Sequence, residues 1–215
     1  MKKTILAAAA LMAAGFSTNV LAQAKNFEGF SLSASTGYAT WKMAASYTPS
    51  TYSGSEPTTS AVPLYVGGEY TWALNDKYTL AFGAEVNLLK SSEQNQILYG
   101  NSVYADANNI KATSYNHVHI KPGMVVGKND LVYLKLAYFN VGFESVAASD
   151  GVKDSWSNSG YSYGVGYRTE ISKSIYAFGE INSLNAASKD RVYTGLTIND
   201  KVTGTNFLVG LGYRF

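Results

Sequence analysis

His117 and His119 are the only histidines in the 215 residues, and they stand two apart in the segment "YNHVHIKPGMVVG". In a strand, residues i and i+2 share a face, so an H-x-H pair can offer two imidazoles to one metal ion. Two ligands do not make a site, and no Asp or Glu lies close to the pair in sequence. A hydrolytic role would need partners, and Ser114 and Glu85 are the residues that neighbouring strand ends could bring up. No motif links them. The expectation is therefore polar side chains filling an interior, with no metal, no cofactor and no catalytic residue. One further chemistry stays open, a protonation-linked change near the unperturbed imidazole pKa of ~6.5.

The charges make a second constellation. Strand alternation puts Glu69, Glu85, Glu170 and Glu180 on the same polar face as Lys121, Lys135, Arg168 and Arg214, four acids against four bases. Unpaired ions in a narrow interior are costly, so these eight are expected to pair as a self-compensating network. The alternative is that the network gates a small pore. "GVGYRT" and "GLGYRF" carry paired glycines, but they lack the helix and the Lys-Ser/Thr of a phosphate loop. Their glycines are expected at close strand contacts.

These side chains need strands to hold them. Eight segments alternate apolar with small or polar residues: 27–41, 61–74, 78–89, 115–127, 131–143, 160–171, 175–182 and 207–215. In the last, Phe207, Val209, Leu211, Tyr213 and Phe215 share one parity. Tight connections, "NDK", "KND" and "SKS", alternate with long polar ones at 42–60, 90–114, 144–159 and 183–204. A soluble sandwich also alternates, but its outer face carries many charges. Here the polar face is compact, which suits the inside of a narrow barrel. Short turns on one side and long loops on the other are the pattern of a bacterial outer-membrane barrel. Trp41, Trp72, Tyr78, Tyr138, Tyr161 and Tyr213 are expected in the aromatic girdles at the two membrane interfaces.

The composition agrees: 13% aromatic, with 17 Tyr, 20 Gly and 4 Pro. Absence of cysteine removes disulfides and thiolate chemistry. The start, "MKKTILAAAALMAAGFSTNVLAQA", reads as a secretory signal peptide with a small-x-small site at Ala22 and Ala24. Cleavage before Lys25 divides the chain into a signal, 1–24, and one barrel domain, 25–215. Removing Lys2 and Lys3 takes the balance from 17 basic against 15 acidic to 15 against 15. A neutral mature chain argues against nucleic acid as a partner.

In these residues the chain resembles the small outer-membrane β-barrel proteins, the OmpA/OmpX-like and opacity-like group. The resemblance rests on the signal, the eight strands and the end, where Gly210, Tyr213 and Phe215 match that group's assembly signal. Leu208 stands where a polar residue is expected. The stretch "GYSYGVGYRTEISKSIYAFGEIN" also looks like the group's sixth-to-seventh hairpin. The resemblance implies an all-β, eight-stranded antiparallel up-and-down barrel in the outer membrane of a Gram-negative bacterium, with both termini periplasmic. It implies contact with outer-membrane lipid, lipopolysaccharide and the barrel-assembly machinery. A monomer is expected, with a structural or surface-interaction role and no enzymatic activity. The alternative is a small porin, and a lipid-modifying enzyme ranks third. The loops "YTPSTYSGSEPTTS" and "DRVYTGLTINDKVTG" are the places for an extracellular ligand; the second alternates and can extend a hairpin whose edge captures a strand.

Overall fold

A computed structural model describes residues 24–48, 50, 52–54, 56, 58–91, 94–100, 103–147, 151, 153–193 and 196–215. Residues 1–23 of the expected signal, Ala22 included, lie outside the described residues, and Ala24 is described. After a 3-10 turn at Ala24–Phe27 the described chain is strand: β1 Gly29–Thr48, β2 Tyr52–Gly54, β3 Thr58–Ala61, β4 Leu64–Ala73, β5 Tyr78–Asn87 and β6 Gln94–Gly100. There follow β7 Val103–Val125, β8 Asp130–Ala147, β9 Lys153–Glu170, β10 Ile175–Ala186, β11 Lys189–Tyr193 and β12 Leu196–Arg214.

Eight of these make the wall, in the order β1, β4, β5, β7, β8, β9, β10, β12, each antiparallel to the next. The last closes on the first, from Ser31 opposite Arg214 to Thr48 opposite Thr197. Closure leaves no edge in the wall, so backbone groups along the paired strands bond to one another, as a lipid environment requires.

The three tight connections fall where the sequence puts them. Asn75 Oδ1 accepts from the backbone N–H of Lys77 and Tyr78 at 2.9 and 3.0 Å, a short polar side chain standing in for a turn carbonyl. Ser172 Oγ accepts from the Ile175 N–H at 3.1 Å in the same way.

Outward side chains form an apolar belt. Phe30, Leu32, Phe82, Ile120, Leu136, Val165, Ile181, Val209 and Leu211 are all exposed there. Tyr138 and Tyr161 meet with ring centroids 5.4 Å apart towards the loop end. Tyr70 and Trp72 meet at 4.8 Å towards the turn end. These are the two girdles of a membrane barrel.

Spanning a membrane takes about 9–11 tilted residues, yet β7 runs for 23 and β1 for 20. Much of the length of the long connections is therefore strand, standing beyond the belt on the loop side. Short strands widen this extension: β3 pairs with β1, β6 with β2 and β7, and β11 with β12.

Three local expectations change. Phe27 is not in the first strand: it sits in the 3-10 turn, fully buried under the turn end of the lumen. Trp41 is not a girdle residue. It shares parity with Ser31, Ser33 and Ser35, so the pleat turns it inward, where it is 6% exposed. A bulge between Ala112 and Ser114 adds one residue to β7. It reverses parity, so Ile110 and Ala112 point inward above it while Tyr115, His117 and His119 do so below.

Candidate functional site

The lumen is filled in layers, and register decides which side chains meet. At the turn end Phe27 packs with Ala24, Val125, Leu131 and Tyr133. Arg168 lies over this layer, its guanidinium 3.6 Å from the centre of the Tyr176 ring. Glu170 accepts from the Arg168 Nε at 2.9 Å and lies 3.2 Å from Arg214. Arg214 also bonds to the carbonyls of Asn26 and Lys173, tying the start of the barrel to its last strand.

The central layer holds the other charges. Lys135 on β8 donates to Glu85 at 3.1 and 3.3 Å and to Glu180 at 2.8 Å. Lys121 on β7 lies 2.9 Å from Glu69, 3.1 Å from Glu180 and 3.6 Å from Glu85. Tyr133 donates its hydroxyl to Glu180 at 2.9 Å, and Asn182 donates to the same carboxylate at 3.3 Å. Arg168 reaches back to Glu69 at 3.7 Å. All eight residues expected in the network are thus brought together, in two linked groups. Repeated contacts at low exposure allow ions to stay charged in a dry interior.

Glycines make room for the long side chains. A Cβ at Gly212 would sit 2.0 Å from the Tyr176 ring, and one at Gly166 would sit 2.2 Å from the Tyr133 ring. Gly166, Gly210 and Gly212 are therefore seats for rings from the neighbouring strand, and Gly164 makes room for Asn182; the paired glycines are not ligand loops.

Above the ions lies an apolar layer that the sequence reading missed. Trp41, Tyr65, Tyr115 and Phe139 pack together, with ring centroids 5.4 to 6.1 Å apart for the Trp41–Tyr115, Trp41–Phe139, Tyr115–Phe139 and Tyr65–Tyr115 pairs. Leu208, opposite Glu180, belongs to the same core lower down, and Val141, Phe143, Trp156, Leu184 and Val202 carry it towards the loop end. The signal was present. On β8, inward parity runs on from Tyr133 and Lys135 to Phe139, Val141 and Phe143, where the inward side chains turn apolar. Near the loop end Arg191 lies 4.0 Å above the Trp156 ring and bonds to Asp200. Burial pushes the Asp200 carboxyl up from its ordinary pKa, against the pull of Arg191.

The histidines sit in the ionic layer. His117 lies directly across from Glu85, and His119 across from Gly83. Glu85 and His117 approach to 3.4 Å, and His119 Nε2 lies 3.2 Å from Glu69. Ser114 does not join them: it is exposed, on the outward face. With Ser114 turned outward, the constellation of Ser114, Glu85 and the histidines considered from sequence is not assembled.

Gly210 is overlaid by the Phe178 ring, whereas Tyr213 and Phe215 project outward, Phe215 5.8 Å from Phe30 and 5.0 Å from Tyr213 by ring centroids. Its backbone N–H donates to Phe30 at 2.9 Å. Ala24 is buried and donates to the Asp76 carbonyl at 3.0 Å, with Lys25 exposed beside it.

Among solved structures, OprG of Pseudomonas aeruginosa is similar at 11% identity over 92% of this chain and 99% of its own, with a TM-score of 0.54. Neisserial surface protein A matches at 12% identity over 87% and 97%, with a TM-score of 0.48. Ail, the attachment invasion locus protein of Yersinia pestis, matches at 16% identity over 87% and 99%, with a TM-score of 0.47. No curated protein sequence matches the chain. The family described as outer membrane protein beta-barrel domain matches residues 7–215. With the closed eight-stranded wall and its apolar belt, that match means the chain belongs to the outer membrane protein beta-barrel family, and the membrane it spans is the outer membrane.

Proposed function

We propose that this barrel is a closed, non-enzymatic anchor that presents its loop-end strands at the cell surface. The observation that carries this reading is the filled lumen. Beside Glu69, Lys121 and Arg168 the lumen keeps a cavity of about 10 Å³, room for about one water molecule. The Trp41, Tyr115 and Phe139 rings stack over the ions on the loop side. A small porin needs a continuous wet path, so the competing reading fails unless both layers move.

The wild-type protein, refolded and inserted into a planar lipid bilayer, is expected to give no discrete current steps. Reproducible steps would instead identify a porin and turn attention to the ion network.

In this reading both termini lie in the periplasm, the belt contacts lipid and lipopolysaccharide, and the barrel is a monomer. The surface role belongs to the protruding strands. Among the described residues β11 pairs only with β12, so it offers an edge to an extracellular ligand that binds by strand addition. Cleavage before Lys25 removes Ala24, the first residue of the 3-10 turn, and leaves the rest of that turn, with the buried Phe27, at the start of the mature chain. Gly210, Tyr213 and Phe215 serve as the signal to the assembly machinery. Phe215→Asp tests that last role. A charge near the membrane interface costs about 1 kcal/mol or less in stability, so refolding in detergent should change little. Outer-membrane levels should fall by more than the tenfold that about 1.4 kcal/mol would produce. Unchanged levels in cells would remove Phe215 from the signal.

A further inference from the structure

The chain's two histidines meet a carboxylate that sequence distance conceals. Glu85, His117 and His119 each place one donor atom within 4.8 Å of the others, and all three are buried. The strand ladder explains the meeting. Glu85 is the cross-strand partner of His117. Gly83, the partner of His119, leaves the imidazole free to cross the sheet; a Cβ there would lie 2.8 Å from His119 Nε2. Across that glycine the ring reaches Glu69 at 3.2 Å.

The nitrogens inside this triangle have no protein partner. Both ring nitrogens of His117 and Nδ1 of His119 are buried without a hydrogen bond. The 3.4 Å approach of His117 Nε2 to Glu85 is misaligned for one. If His119 Nε2 donates to Glu69, its Nδ1 keeps a lone pair, and that lone pair lies 3.8 Å from Glu85 Oε1. Two acceptors facing each other across a dry gap repel unless a cation stands between them. A carboxylate on the far nitrogen of a ligating imidazole is also the usual way a metal-bound histidine is oriented.

We propose that Glu85, His117 and His119 form a binding site for a divalent first-row transition metal ion of the zinc or copper class, with Glu69 orienting His119. Two imidazoles and a carboxylate suit such ions better than calcium or magnesium. Ligand atoms about 2.0–2.2 Å from zinc stand roughly 3.3 Å apart in a tetrahedron. Here His117 lies 3.4 Å from one Glu85 oxygen and His119 3.8 Å from the other, and all three donors lie within 4.8 Å, so the side chains must close by at most about 1.5 Å around an ion. Lys135 is the built-in competitor for Glu85. It also holds Glu180 at 2.8 Å, so it keeps a partner when Glu85 turns to the metal. The closed lumen implies that the ion enters as the barrel folds.

The test uses untagged full-length barrel refolded in detergent with Zn²⁺, dialysed, and assayed for retained metal. Wild type is expected to keep one equivalent, and the His117→Gln/His119→Gln variant at least about tenfold less. Lys135→Met, which removes one cation some 3–4 Å from the carboxylate, is expected to bind at least about tenfold more tightly. Heat-modifiable migration checks that each variant is folded. Where the double variant does not fold, Cu²⁺ spin resonance of the wild type decides. With two histidines in the chain, a signal coupled to two imidazole nitrogens supports the site. Wild type that retains no metal, or binds copper without imidazole coupling, overturns it.

Discussion

Glu180→Gln is expected to lower the unfolding free energy of the refolded barrel by about 3–5 kcal/mol, the cost of leaving a buried ion without its partner. Glu180 is 2% exposed and lies between two ammonium groups, Lys121 at 3.1 Å and Lys135 at 2.8 Å. Glutamine keeps the shape and can still accept from Tyr133, so the loss reports charge rather than volume. What remains is four cations against three carboxylates in a lumen with almost no water. The control is the Glu180→Leu/Lys135→Met pair, which leaves three of each sign. Replacing both members of a buried pair by apolar groups is often close to neutral, so the double variant should recover most of the loss. Urea titration in lipid vesicles reads both. A single-variant loss below about 1 kcal/mol, the range of exposed pairs, would mean that water reaches the network.

Trp41→Ala is expected to cost about 3–5 kcal/mol, the range for deleting a large buried ring. Trp41 packs against Tyr115 and Phe139 and is 6% exposed, so its removal leaves a cavity the wall strands cannot close. Trp72 is the comparison, because it faces outward at 43% exposure. Lipid can fill the gap left by Trp72→Ala, and its loss should be clearly smaller. Equal losses in the two variants would contradict the inward packing of Trp41. Conductance of the Trp41 variant should stay silent as well, because the ions and Phe27 still lie beneath the opened layer.

Much of this protein was determined by local sequence. Alternation fixes which face of each strand meets lipid, since the pleat turns successive side chains to opposite sides. Asn75 and Ser172 specify tight turns through their own side chains. The polar parity of each strand carries the eight charges, and a narrow closed lumen makes them one another's ion-pair partners. The family itself was legible at this level, because strand count, turn rhythm and belt follow from spacing along the chain.

The tertiary structure decided what depends on register and on counting through irregularities. Glu85 and His117 stand 32 positions apart, and only the β5–β7 ladder makes them neighbours. The bulge beside Thr113 reverses the parity of β7, and a period-two pattern read from one side does not announce it. Trp41 looked like an interface residue because tryptophans favour that place. Its parity with the small serines of β1 puts it inside instead, where the rings of β7 and β8 close over the ions. Side-chain direction is a local property, but what a side chain meets inside a barrel is set by closure of the whole wall.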